Sequence, residues 1–445
     1  MQTLRNPSPP SLNAPSVEDV HRYFQDSWSR YEWLFSGLVD GDGVLETQPH
    51  PFRNTLGFYY GHTAAFYVQK LLLAGLISEP VDPEMDRALE RGVSPNRANE
   101  IEKGQDWPQA MELRTYRRRV RDTVLATFDR ADFGRVVTEA DPLWALFMGI
   151  EHERIHFQTT IPLIRRIPVQ SVHRPDGWNY GPATADKLST DWVHFAGGLS
   201  RFGVDSSDNA HFAWDNEYGS VVQLLEPFSM RNYPVTNREM LDFVEDGGYS
   251  EQRLWLTTGA RDWFDELHPT HPAAWVCEDG GYQYRATFDE MEMPWDWPVL
   301  VNRHEAAAFA RWAGFRLPTE PEFRFVLEQG RVGEIEALNP DDHNVAMRWG
   351  SPVPVGLLRS ALTPSGVELL GNVAFWAADN FGALSQDGFN PHPLYGEFSE
   401  PWFRADHGIL LGAGFAATGH LQQVTRMRDF MQNHMDQIAG ICLVS

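Results

Sequence analysis

Apolar residues recur at helical spacing through the first third of the chain. Val20, Phe24, Trp28, Tyr31, Phe35 and Leu38 fall three or four apart behind Ser16-Val-Glu-Asp19, a capping-box-like start, and predict an amphipathic helix. Gly41-Asp-Gly43 and the Pro-bearing Gln48-Pro-His-Pro51 break the pattern. A second helix is expected from about Leu56 to Ala74, with Gly75 at its end. A third is expected from Trp107-Pro108 to about Phe128, with Leu113, Tyr116, Val120 and Val124 facing inward. The fourth runs through Trp144-Ala-Leu-Phe-Met-Gly-Ile-Glu-His-Glu-Arg-Ile-His156. Asp141 suits its N-cap and Pro142 its first position, and Pro162 is expected to kink or end it.

Beyond Pro168 the texture changes. Residues 169–192, with Pro175, Gly177, Gly181 and Pro182, read as a connector. From 193 to 445 Trp, Gly and Pro become dense and apolar runs short. Helical spacing survives only in pieces such as Thr236 to Glu245 and His304 to Trp312. The pattern predicts an α+β chain: a tail over 1–16, a four-helix domain over 17–168, and an irregular α+β domain with much loop over 193–445.

Composition narrows the function classes. A chain of 445 residues, 42% hydrophobic and 13% aromatic, can fill two packed cores. Its net charge of -24 argues against a nucleic-acid or anionic-membrane partner, because phosphate binding needs clustered Lys and Arg. Cys277 and Cys442 are too few for a disulfide framework and fit a reducing cytoplasm. No run of about 18 apolar residues is present, and the opening segment lacks a signal-peptide core, so a cytoplasmic protein is expected.

The candidate chemistry lies in the fourth helix. His152 and His156 are one turn apart on one face, where both imidazoles can reach one ion. Histidines at this spacing are often only packed side chains. Here the preceding run is too apolar for a solvated face, and Glu151 and Glu153 flank the pair, which favours a metal. The same letters spell H-E-x-x-H, the zinc-protease signature, with Glu153 as the base. His62, on a stripe between Phe58 and Phe66, is the best candidate for a third imidazole. The third helix carries Arg114, Arg117, Arg118, Arg119 and Arg121. Such a run is usually a solvated face, but in so acidic a chain Arg114 and Arg118 are candidates to hold a substrate carboxylate.

Several ordered motifs converge on a family. Tyr233-Pro-Val-Thr-Asn-Arg-Glu-Met, Pro298-Val-Leu-Val-Asn302, Trp312-Ala-Gly-Phe-Arg-Leu-Pro-Thr-Glu-Pro-Glu322 and Gly371-Asn-Val373 resemble the formylglycine-generating-enzyme fold, a C-type-lectin-like domain. Joined to a DinB-like four-helix bundle with three histidines, the chain resembles the non-haem iron sulfoxide synthases of thiol-histidine biosynthesis over roughly residues 17 to 445. Phe58-Tyr-Tyr-Gly-His-Thr-Ala-Ala-Phe66, Met148-Gly-Ile-Glu-His-Glu-Arg-Ile-His156 and His392-Pro-Leu-Tyr395 resemble the ovothiol-type 5-histidylcysteine sulfoxide synthases most. The resemblance implies Fe(II) on His62, His152 and His156, with Tyr395 as a catalytic proton donor. It implies histidine, cysteine or a related thiol, and O2 as substrates. Ergothioneine-type or selenoneine-type synthesis on hercynine is the alternative. Arg154, Arg428, Phe430 and Asn433 join the substrate-binding candidates; a synthase without a fused methyltransferase domain is expected, with a separate methyltransferase or lyase as pathway partner.

The chain also departs from that family. Gln158 stands where Glu is usual, Gly371-Asn-Val-Ala-Phe-Trp376 replaces GNVWxW, and Gly412-Ala-Gly-Phe415 replaces GGSW. Family arginines near the C-terminus appear as Gln432 and Asn433, which removes bidentate carboxylate clamps. Two rival readings therefore stand beside the synthase: a zinc protease, and a catalytically eroded homologue that only binds.

Overall fold

The computed structural model describes residues 6–39, 42–90, 108–185, 189–205, 210–278, 280–329, 337–384 and 388–445. The first half is helical: α1 Val17–Phe35, α2 Asp42–Leu45, α3 Leu56–Leu73, α4 Pro83–Ala88, α5 Ala110–Phe128 and α6 Trp144–Arg165. Ser16 caps α1, its hydroxyl accepting from the Asp19 N–H at 3.0 Å. Gly75, at φ +71, closes the turn after α3 as its position in sequence predicts. Gln109 starts α5, where the Glu112 carboxylate accepts the Gln109 N–H at 2.9 Å. Trp107, the expected start, lies outside the described residues.

Two expectations for α6 need correction. Asp141 accepts from the Leu143 N–H at 2.9 Å and so shapes a turn, and the helix begins only at Trp144. Pro142 therefore precedes the helix. Pro162 does not end α6, which continues to Arg165. Ile161, Leu163 and Ile164 are buried around the proline, and that packing outweighs the one amide donor it removes.

Helix α3 packs on both α5 and α6, and α1 packs on α6. Glycines permit the approach. A Cβ on Gly61 would lie 2.7 Å from Leu89 and 2.9 Å from Leu113, so α3 and α5 meet closely there. A Cβ on Gly149 would lie 2.4 Å from the Tyr67 ring, which fixes the contact of α6 with α3.

The second half is built from short strands and helices: β1 Trp192–Phe195, β2 Gly198–Phe202, β3 Val221–Leu225, β4 Phe228–Arg231, α7 Asn237–Glu245, α8 Thr258–Leu267, β5 Trp275–Glu278, β6 Gly281–Arg285, β7 Glu290–Glu292, α9 Arg303–Trp312, α10 Glu320–Gln329, β8 Ala374–Asn380, β9 His407–Gly412, β10 Asp429–Gln432 and β11 Ala439–Gly440. The main sheet runs in the order β10-β9-β8-β11, antiparallel except for the β8–β11 pair. Pairs β1–β4 and β2–β3 and the three-stranded β5-β6-β7 complete the set.

One apolar core crosses the seam between the halves. Phe24, Tyr67 and Ile150 of the bundle belong to the same cluster as Phe323, Phe375 and Leu411. A second cluster around Trp255, Trp297 and Trp376 lies wholly in the second half. Among the described residues no helix is long and apolar enough to cross a membrane.

The Gly149 contact can be tested directly. Gly149→Ala gains helix propensity but drives a methyl group into Tyr67, and overpacking of that kind costs about 1–3 kcal/mol. The variant should unfold at lower urea concentration than the parent, with an unchanged slope.

Candidate metal centre and its cavity

Helices α3 and α6 bring three buried histidines together. One ring nitrogen from each of His62, His152 and His156 lies within 4.8 Å of the other two. The Nδ1 of His62 is 2.7 Å from the Leu89 carbonyl oxygen. A carbonyl can only accept, so Nδ1 carries the proton and Nε2 keeps its lone pair. That Nε2 is buried without a hydrogen-bond partner, as are the Nδ1 atoms of His152 and His156. Three buried imidazoles that meet this closely, each keeping a nitrogen without a protein partner, fit a metal.

Aromatic rings hold the imidazoles in orientation. Phe66 stacks on His152 at 3.6 Å between ring centres, and Phe58 stacks on His62 at 5.1 Å. Burial, with smaller contributions from neighbouring cationic groups, pushes His62 down to about 4 and holds His152 and His156 well below the usual histidine range. All three are neutral at physiological pH, the form that binds metal.

His152 and His156 open onto a cavity of about 320 Å³. Its wall is strongly aromatic: Tyr59 from the bundle meets Tyr395, Phe398, Trp402 and Phe430 from the second half. Tyr395 stands in that wall, its ring 5.0 Å from Phe66 and 6.1 Å from His152. Burial raises its phenol well above the usual range. Lys70 of α3 sits behind it, with Nζ 4.3 Å over the Tyr395 ring, and burial lowers this amine to about 8. Arg53 is the lining guanidinium, with Nη2 3.0 Å from the Met431 sulfur. Glu397 and Asp429 supply carboxylates, and burial pushes Asp429 up to about 7.

The substrate-binding candidates fare unevenly. Phe430 lines the cavity and stacks on Phe381 at 4.0 Å. Arg114 and Arg118 are exposed and border a separate groove beside α5, because their positions point away from the bundle core. Arg154 is buried elsewhere, bonded to Asp26 at 3.1 Å and to the Tyr23 carbonyl at 3.0 Å. Arg428 is held by both oxygens of Glu320 at 2.9 and 3.0 Å and lies outside the cavity lining. Asn433 faces a different cavity and binds the Ala405 carbonyl.

Glu153, the base that the zinc-protease letters require, also points elsewhere. It is fully buried, ion-paired to Arg117 at 3.2 Å and bonded to Ser27 at 3.0 Å. It does not line the cavity, so the protease arrangement is not formed.

Sequence reasoning missed Arg53, Lys70, Trp402 and Asp429. Arg53 lies in a turn and Trp402 at the end of a three-residue 3-10 helix, both too short for periodicity to mark a side chain's direction. Lys70 did carry a signal: it lies four residues after Phe66 and eight after His62, on the same helical stripe.

Known proteins give this arrangement a context. Residues 23–160 match the DinB superfamily, and residues 181–439 match the sulfatase-modifying factor enzyme 1-like domain. The chain is 28% identical to a Mycolicibacterium smegmatis protein named hercynine oxygenase, over 84% of this chain and 87% of that one. It is 22% identical to ergothioneine biosynthesis protein 1 of Schizosaccharomyces pombe, over 91% of this chain and 53% of that one, so it spans about half that relative's length. A hercynine oxygenase of Mycobacterium tuberculosis is 32% identical over 48% of this chain and 51% of its own.

The ion pair behind the histidines yields a stability prediction. Arg117→Met strands the Glu153 carboxylate in the core, a loss of about 3–5 kcal/mol when one partner of a buried pair is removed. Denaturant titration should show that loss, and adding Glu153→Gln should recover a large part of it. A double variant no more stable than the single would mean that Arg117 acts through its packing.

Proposed function

The chain belongs to the sulfatase-modifying factor enzyme 1-like family, with a DinB-superfamily bundle ahead of that domain, and from this premise we propose an O2-dependent sulfoxide synthase of the ergothioneine type. It would join the sulfur of a thiol to the imidazole ring of hercynine, with Fe(II) held by His62, His152 and His156. The reaction balances as imidazole C–H plus thiol plus O2, giving the C–S coupled sulfoxide plus water. The C–H and S–H bonds break, the C–S and S–O bonds form, and O2 takes up four electrons.

The observation that carries this reading is the trio of neutral, buried imidazoles with unpartnered nitrogens, opening onto an aromatic cavity beside Tyr395. Three neutral nitrogen ligands suit Fe(II), which when bound supplies the redox chemistry that activates O2 and thiolate. The protein supplies the rest. Arg53 is placed to hold a substrate carboxylate by charge-assisted hydrogen bonds. Tyr59, Phe398, Trp402 and Phe430 exclude water and give π faces to a quaternary ammonium, with Asp429 and Glu397 as nearby carboxylates. This lining, together with the names of the relatives, favours hercynine over histidine, so the ovothiol-type expectation gives way to the ergothioneine-type one. Tyr395 holds a proton on its phenol oxygen, and Asp429, pushed up to about 7, can take or return one at neutral pH. A separate enzyme that cleaves the coupled product remains the expected pathway partner.

The decisive experiment loads the protein with Fe(II) under anaerobic conditions, then supplies O2, a thiol and equal amounts of hercynine and histidine, with product masses read out. The hercynine-derived sulfoxide should dominate. Dominance of 5-histidylcysteine sulfoxide would restore the ovothiol-type reading, and zinc loading with peptidase activity would overturn both. His156→Ala should keep its circular dichroism and lose stoichiometric iron.

Tyr395→Phe separates catalysis from packing. The phenyl ring preserves the contacts with Phe66 and Phe398, and only the ionisable oxygen is lost. Iron content and substrate affinity should stay near parental. Coupled sulfoxide should fall strongly, with O2 diverted to oxidise the thiol alone to a sulfinic acid. A parental rate of coupling in this variant would make Tyr395 a packing residue.

A further inference from the structure

A second cavity, of about 600 Å³, adjoins the first. Neighbouring residues divide between them: His407 and Gln432 line the catalytic cavity, while Asp406 and Asn433 line the other. Its chemistry runs against the chain's net charge of -24. Arg303, Arg311 and Arg316 line it with His304 and His434, and Asp406 is the acidic residue in the lining.

Two of these charges are already matched. Arg316 is held by both oxygens of Glu322 at 2.6 and 2.7 Å, and Asp406 receives the His407 ring at 2.9 Å. Arg303 and Arg311 are held differently. Arg303 donates to the Ala378 and Asp379 carbonyls at 2.6 and 2.9 Å and to the amide oxygens of Asn380 and Asn433. Arg311 donates to the Leu254 carbonyl. Among the described residues neither makes an ion pair with a carboxylate. Asp379, whose charge does reach Arg303, is bonded to the Glu320 N–H at 2.6 Å.

Carbonyls orient a guanidinium without neutralising it. Burial lowers Arg303 to about 10, which leaves it cationic at neutral pH. Burial first, and then the surrounding positive groups, push His304 down to about 3 and His434 to about 4. The His434 Nε2 is buried with no partner. The first turn of the ten-residue helix α8 adds to this field, since Thr258, Gly259 and Ala260 line the same space.

We propose that this cavity binds a small polycarboxylate, with one carboxylate against Arg311 and another at the first turn of α8. Ala307 and Ala310 leave room for the carbon skeleton between them. The volume exceeds that of the catalytic cavity, which favours an organic anion over a bare inorganic one. The proposal does not depend on which imidazole substrate the catalytic cavity takes.

The test is calorimetry on the full chain, loaded with iron, using citrate, succinate and inorganic phosphate as probes. Saturable binding of citrate or succinate is expected. Arg311→Gln should weaken it roughly tenfold or more, the loss expected for one charge-assisted contact. Ala307→Leu, which narrows the cavity and removes no charge, should weaken it as well. Parental iron content in both variants reports that the fold is intact. The absence of saturable binding by either carboxylate, equal affinity in parent and both variants, or a preference for phosphate over both carboxylates would each overturn the proposal.

Discussion

The charges buried around α6 determine where its histidines point. Glu151, Glu153 and Arg154 are adjacent to His152 in sequence, and all three are inside the protein. Each has a partner in its own direction. Glu151 accepts from the Tyr23 hydroxyl and from the His420 backbone N–H at 3.1 Å. Glu153 meets Arg117, which also reaches Glu32, and Arg154 meets Asp26, which is shared with Arg30. Turning α6 by one residue would strand several of these charges in the core, at a cost of about 3–5 kcal/mol for each broken pair. What remains for His152 and His156 is the single face that opens onto the cavity. Burial of ions is weak evidence for stability, but here it specifies the rotation of a helix.

The same contacts join the two halves. His420, which anchors Glu151, is itself held by Glu217 at 2.8 Å, and Arg30 reaches the Ala346 carbonyl at 3.1 Å. The bundle supplies the imidazoles, Lys70 and Tyr59. The second half supplies Tyr395, the remaining aromatic wall and the carboxylates. Neither half alone encloses the site. The imidazoles come from two packed helices and much of the facing wall from the second half, so the two sides of the cavity are set by separate parts of the chain.

Much of this was legible in sequence where periodicity acts. The helical stripes located α1, α3, α5 and α6, and the spacing of His152 and His156 put them on one face. The Arg run shows the limit. Its functional-looking members, Arg114 and Arg118, lie on the solvated face, whereas Arg117 is the buried one. Position 117 is four residues from Leu113 and seven from Val124, so the spacing already placed it on the inward stripe. The second half resisted because its strands are two to seven residues long, and its cavity residues are split between the short strands β9 and β10 and the turns around them. Motifs identified the domain there, but they could not say that Arg428 is committed to Glu320 or that Asn433 faces the neighbouring cavity.

The protonation states of the site follow from one cause, burial, acting on groups of opposite sign. It lowers His62, His152 and His156 and frees their lone pairs. It also lowers Lys70 to about 8 and raises Asp429 to about 7. The ligand candidates are thereby removed from proton exchange at neutral pH, while Asp429 in the lining and Lys70 behind Tyr395 are brought towards it. Groups with pKa near the working pH move protons most effectively, and groups far from it serve as fixed ligands. Burial thus sorts the titratable residues here into imidazoles that stay neutral and groups that titrate near neutral pH.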